Sequence, residues 1–189
     1  FQKGNFEIID NAPSQDFYKN RNSNTGSPEK VKIVTHHWST NPKKGFEYYE
    51  QLDRLIEEKD KFEFLYIGRK PDYLEFKSTT YLDAIGDNQL LSELIASNHI
   101  YLTASEEEAG ANHVLEAMAC GLPVVYHEQG GSIVDYCKDY GIGYDSFDSM
   151  IISLNKVVKN YEHFKKNVLK FNRTMGDSIK EYIRIIESV

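Results

Sequence analysis

The sequence predicts an α/β fold, a doubly wound parallel sheet with further helices towards its C-terminal end. Three observations carry that expectation. From residue 31 onward, short apolar runs that read as strands alternate with longer segments that read as helices, the pattern left by strands joined through crossover helices. The helical segments place apolar residues every three or four positions, as packing on one face of a sheet requires. The polar loops richest in Lys, Glu, Gly and Asn follow strands, at the edge where open α/β sheets hold ligands. With 189 residues, 40% of them hydrophobic, the chain has the material for one filled core.

Taken in order, residues 6–9 form a short apolar run, and Asp10-Asn11-Ala12-Pro13 after it is a turn cluster. Residues 15–30 are rich in Asn, Ser and Lys, which predicts a linker or surface excursion and a compact domain starting near Lys30. Residues 31–38 read as a buried strand, 39–45 as a loop, and 46 to about 59 as a helix with Phe46, Tyr49, Leu52 and Ile56 on one face. The unit then repeats. Residues 62–67 are a strand closed by Gly68, 79–82 a shorter strand, and 87–97 a helix with Leu90, Leu91, Leu94 and Ile95 on its apolar face. Residues 99–103 and 123–126 are two more strands.

Between those two strands a short helix is expected, with Asn112 as its cap, Gly121 as a left-handed end and Pro123 preventing continuation. Residues 132–138 read as a helix after Gly130-Gly131. From Ser149 to about Asn172, the apolar residues Met150, Leu154, Val157, Tyr161, Phe164 and Val168 fit one long amphipathic helix or two in sequence. Asp177 can cap a last helix carrying Ile179, Tyr182, Ile183 and Ile186.

Charge and motifs exclude several functions. A net charge of −7 argues against nucleic-acid binding, so any phosphate ligand must be small. Cys120 and Cys137 read as reduced core thiols, which implies a cytoplasmic setting, and no run approaches the length of a membrane span. The sequence has no GxxxxGK[ST] loop, no GxGxxG fingerprint, no Asp-x-Asp triplet and no visible nucleophile with a base. An NTPase, a dehydrogenase and a self-sufficient hydrolase are all disfavoured.

What remains is a pair of carboxylates, Glu108 and Glu116, with seven residues between them. Eight helical positions correspond to a rise of about 12 Å, too far for both to clamp one metal ion. With Glu108 in the loop and Glu116 on the second turn, they bracket a helix N-terminus whose amides favour an anion. A ligand with hydroxyls at each end and a phosphate between them fits, and a nucleotide sugar is such a ligand. Lys44, before Gly45 at a helix start, would place a cation near that phosphate. Gly130-Gly131 reads either as an anion contact or as a tight turn. Strand alternation buries one of His36 and His37, with no third metal ligand at useful spacing, and His113 stands at the helix start where it could face a ligand.

The run from Glu108 to Glu116, continued by Ala117-Met118-Ala119-Cys120-Gly121-Leu122-Pro123-Val124-Val125, closely resembles the donor-site signature of retaining glycosyltransferases of family 4, which have the two-domain GT-B fold. The resemblance covers residues 31–189 and includes Lys44-Gly45, Ile67-Gly68, the segment 91–105, Gly130-Gly131 and a closing helix with Tyr182. Residues 6–17 resemble the family's interdomain linker. It implies a Rossmann-like, donor-binding C-terminal domain at 30–175. Residues 1–29 would be the linker and end of a missing N-terminal domain, and 176–189 a C-terminal helix packing back on that domain.

The same resemblance implies roles. Glu108 would bind hydroxyls of the donor sugar and Glu116 those of the ribose, with Lys44 countering phosphate charge. The amides of Ala109, Gly110, Ala111 and Asn112 would hold sugar and diphosphate, and the nucleobase would lie near Ile85 and Gly86. No metal or other cofactor is implied; the nucleotide sugar is a substrate, and the acceptor is an unspecified glycan, lipid or small molecule. The missing domain could attach the protein peripherally to a membrane. Three departures stand out: Trp38 replaces an expected arginine, whose phosphate contact Lys43 or Ser39 would have to supply; Ala109 replaces a phenylalanine; and Val134 and Asp135 lie where a glutamate is expected. Transfer with retention, with little turnover by these residues alone, is the leading expectation. A nucleotide-sugar epimerase, a phosphorylase and a non-catalytic nucleotide-sugar-binding module are the alternatives.

Overall fold

A computed structural model describes residues 7–22, 26 and 30–188. The strands are β1 (Val31–His37), β2 (Phe62–Gly68), β3 (Thr80–Leu82), β4 (Ile100–Thr103), β5 (Val124–His127) and β6 (Gly141–Tyr144). They form one sheet in the order β3-β2-β1-β4-β5-β6, and every pairing is parallel. Successive side chains point to opposite faces, and both faces are covered: Val34, Tyr101 and Val124 enter one core layer, Ile33, Leu102 and Val125 the other. This two-sided burial is why β4 and β5 read as continuous apolar runs.

The helices are α1 (Asp16–Lys19), α2 (Phe46–Lys59), α3 (Asn88–Ala96), α4 (Asn112–Ala119), α5 (Ser132–Cys137), α6 (Phe147–Lys159), α7 (Tyr161–Val168) and α8 (Met175–Glu187). Phe17, Leu91, Ile95, Val114, Met118 and Ile133 fill the first layer, while Tyr49, Leu52, Met150 and Leu154 fill the second. The predicted elements from α2 to α5 recur within a residue or so of their expected ends. The long C-terminal pattern resolves into two helices, because the backbone leaves the helical region at Asn160 (φ −118°, ψ 33°). Among the described residues, no helix is long and apolar enough to cross a membrane.

Four expectations need correction. Residues 16–22 are built into the domain: Phe17 is 1% exposed, and the Arg21 guanidinium donates to the carbonyls of Ala119, Leu169 and Phe171. Tyr18 Oη donates to the Arg173 carbonyl (2.6 Å) and Asn20 to Ser92 Oγ (2.8 Å), so two aromatics and a few polar side chains anchor an otherwise polar stretch. Asn112 is the first helical residue of α4, not its cap; Ala111 holds the cap position, and the Asn112 amide donates to the Gly110 carbonyl at 2.9 Å. Asp177 acts from inside α8, pairing with Thr174 in a capping box. Strand β6, with two glycines in four residues, was not expected, yet it pairs with β5 along its whole length.

Helix α4 ends inside the protein, with Gly121 left-handed (φ +81°) as expected. Lys165, fully buried on α7, donates to the Gly121 carbonyl there. Burial pushes this amine down from 10.5 to about 8. Between those values an unfolded chain keeps a proton that the folded one has released, so the stability contribution of this group rises with pH over that window. Unfolding by denaturant at pH 7.5 and pH 10 should show a gain on the order of 2–3 kcal/mol in the wild type relative to Lys165→Met. Equal pH dependence in the two proteins would refute this.

Candidate active site

The strand order reverses between β1 and β4, and the crevice beyond their carboxyl ends is where such sheets bind ligands. Two loops meet there. The loop after β1 closes through a 3-10 turn at Pro42–Lys44 onto Gly45, which has φ +66°, and a Cβ on Gly45 would collide with the Ala104 carbonyl. The Glu106 amide donates to the Lys43 carbonyl at 2.7 Å, so the two loops lie edge to edge. A second clamp comes from Gly130-Gly131. Glu108 donates its amide to the Gly130 carbonyl (3.3 Å) and accepts from the Ser132 amide (2.9 Å), and the Glu107 amide donates to the Gln129 carbonyl (2.9 Å). The Gly130 amide is itself spent on the His127 carbonyl (3.0 Å).

These clamps aim the side chains into a cleft of about 210 Å³ whose lining includes Ser39, Lys44, Glu108, Gly110, Asn112 and Glu116. Lys44 (15% exposed) forms an ion pair with Glu108 (19%). Glu116, on the second turn of α4, accepts from His36 Nε2 at 2.8 Å. The two carboxylates thus stand on either side of the start of α4. Among the described residues, the amides of Ala109, Gly110 and Ala111 between them have no protein acceptor. Ile85 lines an adjoining slot with Ile67, Gly68 and Leu91, and His36, His37 and Trp38 form the wall common to both spaces.

Other expected site residues lie apart. Lys43 turns to Glu106 (3.1 Å) and Glu107 (3.0 Å) at the surface, and those hydrogen bonds raise its pKa. Ala109 and Gly86 are exposed and line neither space, and Ala111 is fully buried. Trp38 is half exposed at the junction of cleft and slot. No group of three or more His, Cys, Asp or Glu among the described residues is placed to hold a metal ion.

The histidines are what sequence reasoning underrated. Both His36 and His37 are buried, not one, because helices cover both faces at the end of β1. His36 meets Tyr101 and His113, while His37 meets Phe46 and Tyr49. Burial drives His37 and His113 well below the ordinary histidine range, so both are neutral imidazoles. Tyr49 Oη accepts from the Ala104 amide (2.9 Å), and His37 Nε2 lies 2.7 Å from that oxygen and 3.1 Å from Thr35 Oγ1. His37 Nδ1 is buried with no partner among the described residues. His113 faces the cleft but bonds Thr103 Oγ1 at 3.2 Å. The usable signal was two polar residues closing a buried strand at the ligand edge.

The family profile described as "Glycosyl transferases group 1" matches residues 31–158. Similar solved structures include WaaG, a glycosyltransferase involved in lipopolysaccharide biosynthesis (TM-score 0.66, 20% identity, 86% of this chain and 50% of that one). Others are the pneumococcal O-GlcNAc transferase GtfA in complex with UDP and GlcNAc (0.60, 14%, 87% and 37%) and Anabaena Alr3699/HepE in complex with UDP and glucose (0.66, 16%, 93% and 52%). At these identities the likeness is one of fold, and this chain spans about half the length of those proteins or less. No curated protein matches by sequence.

Gly131 is the backbone hinge on which Glu108 depends: it has φ +63°, and a Cβ there would stand 2.5 Å from the Glu108 carbonyl oxygen. Gly131→Ala should therefore lose about 1–3 kcal/mol in denaturant unfolding. Gly86→Ala, with nothing within 4 Å of the added Cβ, is the control. It should stay within about 0.5 kcal/mol of wild type. Similar stabilities for the two variants would contradict the clamp.

Proposed function

This chain belongs to the group 1 glycosyltransferases, and from that premise we propose that it is the donor-binding half of an enzyme transferring a sugar from a nucleotide sugar with retention. The observation that carries the proposal is the pair of half-buried carboxylates flanking the start of α4, with Lys44 beside them and, between them, the Gly110 amide in the cleft lining, without a protein acceptor among the described residues. Glu116 takes the ribose hydroxyls, the adjoining slot at Ile85 takes the base, and the amide of Gly110, which lines the cleft, meets the diphosphate. Glu108 takes hydroxyls of the transferred sugar.

Charge decides the order of events. Without donor, Lys44 and Glu108 neutralise each other in a partly dry cleft. A diphosphate offers Lys44 a stronger partner, and the exchange frees Glu108 for sugar hydroxyls. As the glycosidic bond breaks, negative charge grows on the departing diphosphate, and the Gly110 amide together with Lys44 stabilises it there without a metal ion. Lys43, drawn away by Glu106 and Glu107, does not replace the arginine expected at Trp38, and Lys44 is the cation of the cleft. The half-exposed apolar face of α8, with Met175, Ile179 and Ile183, supports a further domain that covers it and supplies the acceptor side.

UDP-sugars are the first donors to try, since two of the similar structures hold UDP. Trp38 is the chain's single tryptophan, so its fluorescence reports ligand in either space. Titration with UDP-, GDP- and ADP-sugars, followed by fluorescence and calorimetry, should find one that binds, and Glu116→Ala should weaken it by about tenfold or more. Silence with all three, or an unaffected Glu116→Ala, would sink the proposal.

A further inference from the structure

We infer that His36 is the positioning residue for Glu116, so that discrimination between nucleotides with and without a ribose hydroxyl depends on a histidine buried in β1. The inference rests on the proposed role of Glu116 towards ribose. A carboxylate accepts, so the proton in the 2.8 Å contact sits on His36 Nε2. The opposite nitrogen, Nδ1, faces Tyr101 Oη at 3.1 Å, and the same oxygen accepts from the His36 amide at 3.2 Å. Burial holds the Tyr101 hydroxyl well above its ordinary range, so it stays a hydroxyl; its proton has two acceptors, the His36 carbonyl at 3.3 Å and the nearer Nδ1, whose lone pair has no other donor among the described residues. Tyr101, His36 and Glu116 therefore form one directed chain from β4 through β1 to α4. Edge contacts with Tyr101 and His113 fix the His36 ring in place.

Satisfying Glu116 is not a sufficient reason for this chain. The carboxylate is 20% exposed and could be solvated, whereas His36 is 2% exposed and has given up its water. What the imidazole supplies is direction. It occupies Oε2 and leaves Oε1 without a protein partner among the described residues, on a side chain that lines the cleft. A glutamate on a helix otherwise samples several rotamers, and ordering one of them in advance lowers the cost of binding.

The test compares affinities of the full chain for UDP, GDP and ADP with those for their 2′-deoxy and 3′-deoxy counterparts, in wild type, Glu116→Ala, His36→Ala, His36→Gln and Tyr101→Phe. Circular dichroism checks that each variant folds. For the nucleotide that binds, wild type should prefer the ribo form over one deoxy form by about tenfold or more. Glu116→Ala and His36→Ala should both bring that ratio to near unity, and His36→Gln, whose amide can reach the same oxygen, should restore part of it. Tyr101→Phe keeps the ring and removes only the hydroxyl. It should lower the ratio partway, and it answers the question should His36→Ala not fold. If Glu116→Ala loses the preference while the folded His36 and Tyr101 variants keep it, or weaken ribo and deoxy forms equally, the positioning role is overturned. If Glu116→Ala keeps the preference, or no nucleotide binds wild type, the ribose reading itself is overturned.

Discussion

The site depends on how α4 ends. A helix that stops inside a protein leaves carbonyls that water cannot reach, and each must find a donor. Here Arg21 donates to the Ala119 carbonyl, the Asn22 amide to that of Cys120, and Lys165 to that of Gly121. Two of these donors are cations, which also suit the negative end of the helix dipole. They arrive from opposite ends of the chain, the segment before β1 and helix α7, and so fix α4 against both. With the C-terminus held in this way, the N-terminus can be left open towards the cleft. An eight-residue helix open at one end would otherwise fray from that end.

Partition of charge among the loops follows from burial. Three consecutive glutamates, Glu106, Glu107 and Glu108, confront two lysines across the loop contact. Lys43 and its two partners lie at the surface, where ion pairs contribute little to stability and are screened by salt. Lys44 and Glu108 sit deeper, where the same pairing is stronger but carries a desolvation cost that a diphosphate can offset. The neutral imidazoles of His37 and His113 add no positive charge that would compete with Lys44 for a phosphate.

Much of this was legible from sequence because it is periodic or local. Alternating strand and helix patterns gave the sheet, and the spacing of Glu108 and Glu116 with the tail after it gave the position of the cleft. What was hidden is carried by contacts distant in sequence. Arg21 and Ala119 are 98 residues apart, and His36 and Glu116 are 80 apart. Nothing local marks Arg21 as a cap or His36 as a partner, so a polar segment read as linker or surface excursion and only one histidine of the pair read as buried. Asn112 failed for the opposite reason. It is a good local cap, but Gly130-Gly131 fixes the preceding loop, and the helix begins one residue earlier than its own propensity would choose. Strand β6 shows a similar override: its glycines disfavour a strand, but β5 offers it a full ladder of partners.

Each carboxylate of the cleft already has one partner inside the protein, and the two partnerships differ in a way that bears on what a ligand can do. Lys44 and Glu108 are exposed to a similar degree, both sit on loops, and each is a group that a nucleotide sugar could engage. Their pairing competes with ligand and must be exchanged for it. His36 and Glu116 are unequal: the imidazole is closed off, tied to Tyr101 behind it, and presents no atom that ligand could take in exchange. That pairing has no competitor and can persist when the cleft fills. Under the proposed function one carboxylate is therefore released by binding and the other is held ready for it, so the ribose end would be pre-organised and the sugar end assembled on demand. A site divided in this way would, on that proposal, engage the nucleotide first and complete its contacts to the reacting sugar only when the diphosphate has drawn Lys44 away.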